Sequence, residues 1–279
     1  MALVAVLWIV AALSLMLMGM TQSVRQEVRS ATINRQIVEG RATAEAAINL
    51  VLQRLSAQPG AQTSLLDVNV PFRGVPVQVR VVPMSGHIDV NRAAAPLLQS
   101  LLVVAGGMPP AAAQRGAETI IDWRQQRSAD GRARELEAPE DLMLIPGFPY
   151  DVYARIADLV TAGQGSGGSV NPLAAPEGVL RVLARGDASA ASRIASARGA
   201  GGVGIDLTAL DPSFIGTGNT RAYRITATVP LPDNDSMRYT QDVTFSTGSR
   251  DPLPWRILRS GRSFAPAAEA IPPADRPRS

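Results

Sequence analysis

The chain has 279 residues, with 27 lysines and arginines against 24 aspartates and glutamates, one histidine and no cysteine. A net charge of +3 gives no grounds for nucleic-acid binding, and a pI of 9.9 reflects how few groups titrate between neutral pH and arginine. The absence of cysteine excludes a disulfide scaffold, a zinc ribbon, iron–sulfur ligation and a cysteine nucleophile, without deciding the compartment.

Residues 2–20 (ALVAVLWIVAALSLMLMGM) carry no charge and supply about the 20 apolar residues that cross a hydrocarbon core. A membrane span is expected there, through Ala2, Leu3, Leu7, Trp8, Leu15 and Met20. No lysine or arginine precedes Arg25, so the segment lacks the basic start of a cleaved secretory signal. Arg25 and Arg29 then point the C-terminal side to the cytoplasm by the positive-inside rule, unless a basic leader once preceded Met1.

No helix breaker follows until residues 56–60 (SAQPG), and from residue 21 onward the apolar residues fall on one stripe: Val24, Val28, Ile33, Ile37, Ala44, Ile48, Val51, Leu52 and Leu55. One helix of this length would reach roughly 80 Å. Its stripe is expected to need a surface outside the chain to bury it.

Residues 65–82 alternate with valine and turn at 72–74, which predicts a β-hairpin. A short third strand is expected at 87–90, followed by helices at 95–105, 109–127, 139–145, 149–161 and 176–184, several opened by proline. Residues 163–168 and 199–204 read as glycine linkers, since neither carries a dinucleotide or phosphate-loop pattern. The segment Asn91-Arg-Ala-Ala-Ala-Pro96 returns as Asn171-Pro-Leu-Ala-Ala-Pro176, which predicts two related joints in which an asparagine bonds backbone groups ahead of a helix. Strands return at 203–207, 221–231 and 237–247, the last two joined by a turn at 232–235, with 255–258 as an edge strand. Residues 261–279, rich in proline and alanine, are expected to be disordered. The fold class is α+β, with helices inserted into one sheet.

Little in the chain resembles a catalytic constellation. His87 is expected on the solvent face of a strand, with no partner to activate a nucleophile. Asp130, Glu135, Glu137, Glu140 and Asp141 read as a solvated, charge-balanced loop. Its alternative is a calcium site with Asp122, Asp130, Glu137 and Asp141 as candidate ligands. The turn at Leu144-Ile-Pro-Gly-Phe148 resembles the hairpin of helix-hairpin-helix DNA binders, but the acids around it oppose a phosphate, and packing between two small helices is the better reading.

Taken together, residues 1–8, the stalk helix, Gly86–Pro96, Ile120-Ile-Asp-Trp-Arg124, residues 142–153 and the Val170-Asn171 turn resemble the minor pseudopilin K family of the type II secretion system. The resemblance covers residues 1 to about 260. It implies a leader cut before Met1 by the prepilin peptidase, N-terminal methylation, and a pilin-like αβ body carrying an inserted all-helical domain. The implied division is a transmembrane and stalk helix at 1–57, a pilin-like part at 58–91, the inserted domain at 92–184, a second pilin-like part at 185–260 and a tail at 261–279.

It further implies a single-pass protein of the bacterial inner membrane with its C-terminal domain in the periplasm. Its partners would be minor pseudopilins I and J, then H, in a tip complex that initiates the filament and supports protein export. Secreted substrate or the outer-membrane channel is a further implied contact, with no nucleic acid and no cofactor. Ala5 replaces the glutamate that most pilins use to neutralise a neighbour's N-terminus, which fits a subunit with nothing above it. Trp123 is followed by Arg124 and Gln125 rather than by the family's further acids, which puts calcium in doubt. Two other classes stay open: an envelope-anchored DNA-uptake protein using the 144–148 turn, and a membrane-tethered periplasmic enzyme.

Overall fold

The structure is a computed structural model that describes residues 2–57, 60–127, 131, 133–165, 167–199, 204–232, 235–245 and 253–266, with the backbone alone at 2–5, 9–25 and 265–266. It is an α+β fold in which a long N-terminal helix packs on a five-stranded antiparallel sheet, with helices inserted between two neighbouring strands. Helix α1 runs unbroken over Ala2–Ala57. Strands β1 (Leu66–Phe72) and β2 (Val75–Pro83) form the expected hairpin. Its two turn residues, Arg73 and Gly74, both have positive φ (50° and 80°), the geometry that matches strand twist in a two-residue turn.

After β2 the chain leaves the sheet. Strand β3 (Ile88–Asp89) pairs in parallel with β4 (Val160–Thr161), so it begins a separate two-stranded ribbon and is not a third strand of the hairpin sheet. Between them lie α2 (Ala95–Val104), α3 (Pro110–Gln125), a 3₁₀ turn at Pro139–Leu144 and α4 (Tyr150–Ile156). The helix expected at 149–161 therefore ends five residues early, where Val160 and Thr161, both β-branched, are taken into the ribbon.

Two more helices follow, α5 (Glu177–Leu183) and α6 (Ala188–Gly199). The alanine and serine run of α6 gave no periodic signal, but Asp187 caps it by accepting from the Ala190 N–H at 2.9 Å. The strand expected at 203–207 is absent from its described part, residues 204–207. These elements share one apolar cluster that reaches from Ile88 to Phe214, taking in Leu98, Leu102, Ile120, Leu180 and Ile194.

The chain rejoins the sheet with β5 (Ala222–Pro230), β6 (Asp235–Phe245) and β7 (Trp255–Pro266), giving the order β1-β2-β5-β6-β7. Asp233 and Asn234 of the expected turn lie outside the described residues. The edge strand is much longer than 255–258. Residues 261–266, expected in a disordered tail, pair with β6 as far as Asp235↔Pro266, because backbone pairing needs no apolar alternation. A second apolar cluster lies between this sheet and α1, built from Ile48, Val51 and Leu52 against Val77, Val79, Val81, Ile225 and Val243.

Candidate functional site

The periodic stripe of α1 is divided by its surroundings. Ile48 and Leu52 are fully buried against the chain's own sheet, and Leu55 packs at the edge of the same cluster. This part of the stripe needs no outside surface, contrary to the expectation for the whole helix. Farther down, Ile37 is half-buried, while Val28, Ile33 and Val38 are 61%, 47% and 67% exposed.

Leu7 and Trp8 are also exposed, whereas the side chains of Ala2, Leu3, Leu15, Met20 and Val24 lie outside the described residues. Among the described residues no helix is long and apolar enough to cross a membrane, and most of the expected span falls outside that search.

The division falls at Gly40, the lowest buried position of the helix among the described residues. A Cβ there would stand 3.1 Å from Met237 Cε and 3.4 Å from Leu231 Cδ2, so a bare backbone lets the sheet come close. One turn higher, Glu45 accepts from Tyr239 Oη at 2.8 Å and from Arg41 Nε at 2.8 Å. Burial alone would raise this carboxyl, but the bonds from Arg41 and Tyr239 outweigh it and hold Glu45 below its ordinary value. The helix is thus riveted to β6 by one polar contact amid apolar packing.

At the other end of the sheet the insertion is joined by buried polar groups. Asp89, which the sequence reading passed over, is 3% exposed and accepts from the backbone N–H groups of Asn91, Gly163 and Gly165 at 3.0, 3.1 and 3.2 Å. Gly163 and Gly165 are therefore fixed partners and not a free linker. A Cβ on Gly165 would lie 2.8 Å from that of Asp89, which is why the segment is glycine-rich.

Both repeated asparagines bond backbone, as their spacing predicts. Asn91 clasps Leu136 through both its N–H and C=O at 2.9 and 2.8 Å. Asn171 accepts from Leu173 N–H at 3.0 Å and donates to the Thr63 carbonyl at 3.0 Å. Arg198 of α6 closes the second joint by donating to the carbonyl of Ala175 at 2.6 Å.

His87 lies in this joint, not on a solvent face as expected. It is 2% exposed, because β3 turns into the joint instead of lining the sheet. Burial pushes its ring well below the ordinary histidine value, and neighbouring Arg224 adds to the effect. Arg224 is itself buried and bidentate with Asp242 (2.8 and 3.0 Å), and donates to the Asp158 carbonyl at 3.2 Å. Arg259 lies 3.7 Å from Asp242 and bonds Glu140 of the insertion at 2.6 Å. This chain of charges ties the sheet to the 3₁₀ turn, and Glu140 belongs to it rather than to a solvated loop.

The remaining candidates do not converge. Asp141 accepts from the Glu137 and Ala138 N–H groups at 2.8 and 3.1 Å, so it serves as a local cap. Asp130 lies outside the described residues. Among the described residues no three histidine, aspartate or glutamate side chains gather closely enough to hold a metal ion. Trp123 stacks instead with Arg134, whose guanidinium carbon is 3.8 Å from the ring centre.

The turn at Pro146-Gly147 joins the 3₁₀ turn to α4, with Leu142 and Ile145 buried beneath it. The sheet face turned away from α1 bears Gln78, Arg80, Thr226, Thr228, Arg238 and Thr240, and lines a groove of about 690 Å³. These groups can bond polar ligands, but no nucleophile and base are paired among them.

No family model matches the chain, and no curated protein matches it. Among solved structures it is similar to a chain of the GspK-GspI-GspJ complex from the enterotoxigenic Escherichia coli Type 2 Secretion System. The TM-score is 0.49 at 12% identity, over 85% of this chain and 99% of that one.

Proposed function

We propose that the chain is a non-enzymatic minor pseudopilin of a type II secretion system, of the K kind. It would stand at the tip of the periplasmic pseudopilus beside minor pseudopilins I and J, with H beneath. The observation that carries this reading is the divided helix. One half of α1 is fixed to its own sheet, while the other offers Val28, Ile33 and Val38 to a surface that the described chain does not supply.

Burying such residues is worth roughly 1.5–3 kcal/mol each, enough for a few to drive association of stalks. The residues at 86–96, 120–124 and 142–153 support the K assignment, as does a helical insertion between neighbouring strands β2 and β5. Ala5 supports a place with no subunit above.

In this reading residues 2–20 anchor the chain in the inner membrane before assembly, and the rest lies in the periplasm. The pilin-like body is the sheet with α1, and the inserted unit extends through α6. Calcium is not part of the proposal.

The natural lack of cysteine makes the test clean. Single cysteines at Val28 or Ile33 should cross-link to stalk cysteines of pseudopilins I or J in membranes, while Ile48→Cys should not. If no position from 24 to 38 cross-links and deletion leaves protein secretion intact, the reading fails. The precursor should also carry a short leader with lysine or arginine ending in glycine before Met1.

A further inference from the structure

Strand β7 forms one edge of the sheet, and among the described residues nothing pairs with its outer side. It runs twelve residues, beyond the usual range for a strand. The opposite edge, β1, is seven residues long and carries Pro71, a common guard against added strands. β7 has no proline until its last residue, Pro266.

Two kinds of side chain accompany this open edge. On the face toward α1, Ile257 and Phe264 are 49% and 52% exposed, since α1 packs mainly on β1, β2, β5 and β6. The strand also bears Arg256, Arg259 and Arg262 and no acid. Arg259 is engaged by Glu140 and Asp242. Arg256 and Arg262 are exposed and form no ion pair with any described residue.

We propose that the outer edge of β7 receives an extended, acidic segment of a partner protein, paired strand to strand. Its carboxylates would face Arg256 and Arg262, and an apolar side chain would cover Ile257 or Phe264. Backbone bonds supply the affinity in such pairing, and side chains choose the partner. A second copy of β7 is a poor occupant, since it would set arginines against arginines across the new pair. The proposal does not depend on the lower stalk, so either can fail alone.

The test uses the full chain in a neutral maltoside micelle, with fluorescence anisotropy as the readout. The probe is a labelled peptide of glutamate and valine, about the length of β7, with two glutamates five positions apart, as Thr244 and Tyr239 are on β6, so that one meets Arg256 and the other Arg262 on opposite faces. Two controls accompany it: a lysine–valine peptide, and a glutamate–valine peptide N-methylated at alternate residues, which keeps the charge but cannot complete a ladder.

The parent peptide should bind, and weaken as salt rises. The double variant R256E/R262E should raise its Kd at least about tenfold, the loss of two charge pairs. Both controls should bind far more weakly. The proposal is overturned if the lysine peptide binds equally, if N-methylation has no effect, or if the parent fails to bind by about 1 mM. Should the variant misfold by circular dichroism, the two control peptides still decide the outcome.

Discussion

The upper and lower halves of α1 carry apolar residues at the same spacing, yet only the upper half is core. Ile48 and Leu52 meet β2 and β5, whereas Val28 and Ile33 meet nothing in the described chain. A periodic stripe announces burial without saying by what. The partner is set by where the sheet ends, and the sheet ends near Gly40, against Met237 and Leu231.

A matched pair of truncations tests the division of the helix most directly. Leu52→Ala should cost about 2–5 kcal/mol in urea unfolding of the full chain, as large-to-small changes in a packed core do. Ile33→Ala should stay within about 0.5 kcal/mol in the same measurement, yet reduce cross-linking to other stalks. Equal costs at the two positions would erase the distinction.

The insertion offers the next largest effect. Asp89→Ala would take the shared acceptor from three part-buried N–H groups, and should destabilise by about 1–3 kcal/mol. Proteolysis near residue 163 should rise with it; an unchanged cleavage pattern would mean that the glycine segment is held by something else.

A smaller effect belongs to the rivet between the helix and β6. Tyr239→Phe removes one hydrogen bond to Glu45 and should cost about 1 kcal/mol at neutral pH. Glu45 is depressed in the folded chain, so its contribution is full above its unfolded value and lost as pH falls through its lowered folded value. The difference between Tyr239→Phe and the parent should therefore shrink in acid, as followed by urea unfolding at successive pH values.

The smallest effect should come from Asp211, in the insertion. The Ser213 hydroxyl and N–H, followed by Arg185, hold its carboxyl down at about 2. Its folded value lies below its unfolded one, so its contribution is complete above about 4 and disappears as pH falls toward 2. Asp211→Asn should thus be slightly destabilising at neutral pH and neutral near pH 2, measured by the same unfolding assay.

Much of the fold was readable where local and global preferences agree. The 72–74 turn lies between alternating valines, and the helices of the insertion open with proline, so each residue argues for the same element. The failures have a common cause. β7 beyond residue 258, with serine, glycine and arginine, is a strand only because β6 offers backbone to pair with. Helix α6 has little stripe because small residues suffice where it packs, at Ala190 and Ala191.

The site was less legible than the fold. The two asparagine joints were found from their repeat, and their backbone bonding follows from the side chain. Asp89 was not found, because its three partners arrive from residues 91, 163 and 165, two of them distant in sequence. His87 was misplaced for the same reason: it is buried near Arg224, which arrives with the returning chain and not from its strand neighbours.

The asparagine and aspartate joints also bear on the order in which the molecule is made. Pro83 must find Tyr223 to join β2 to β5, and closing a longer loop costs more entropy. The joints shorten that search. With Ile88 beside Val160, and Asn171 N–H on the Ser85 carbonyl, the folded insertion brings the two ends of its own excursion together before any sheet contact is needed. The clasp thus shortens the loop that a distant strand pairing must close, and lets later strands complete a sheet that the first strands began.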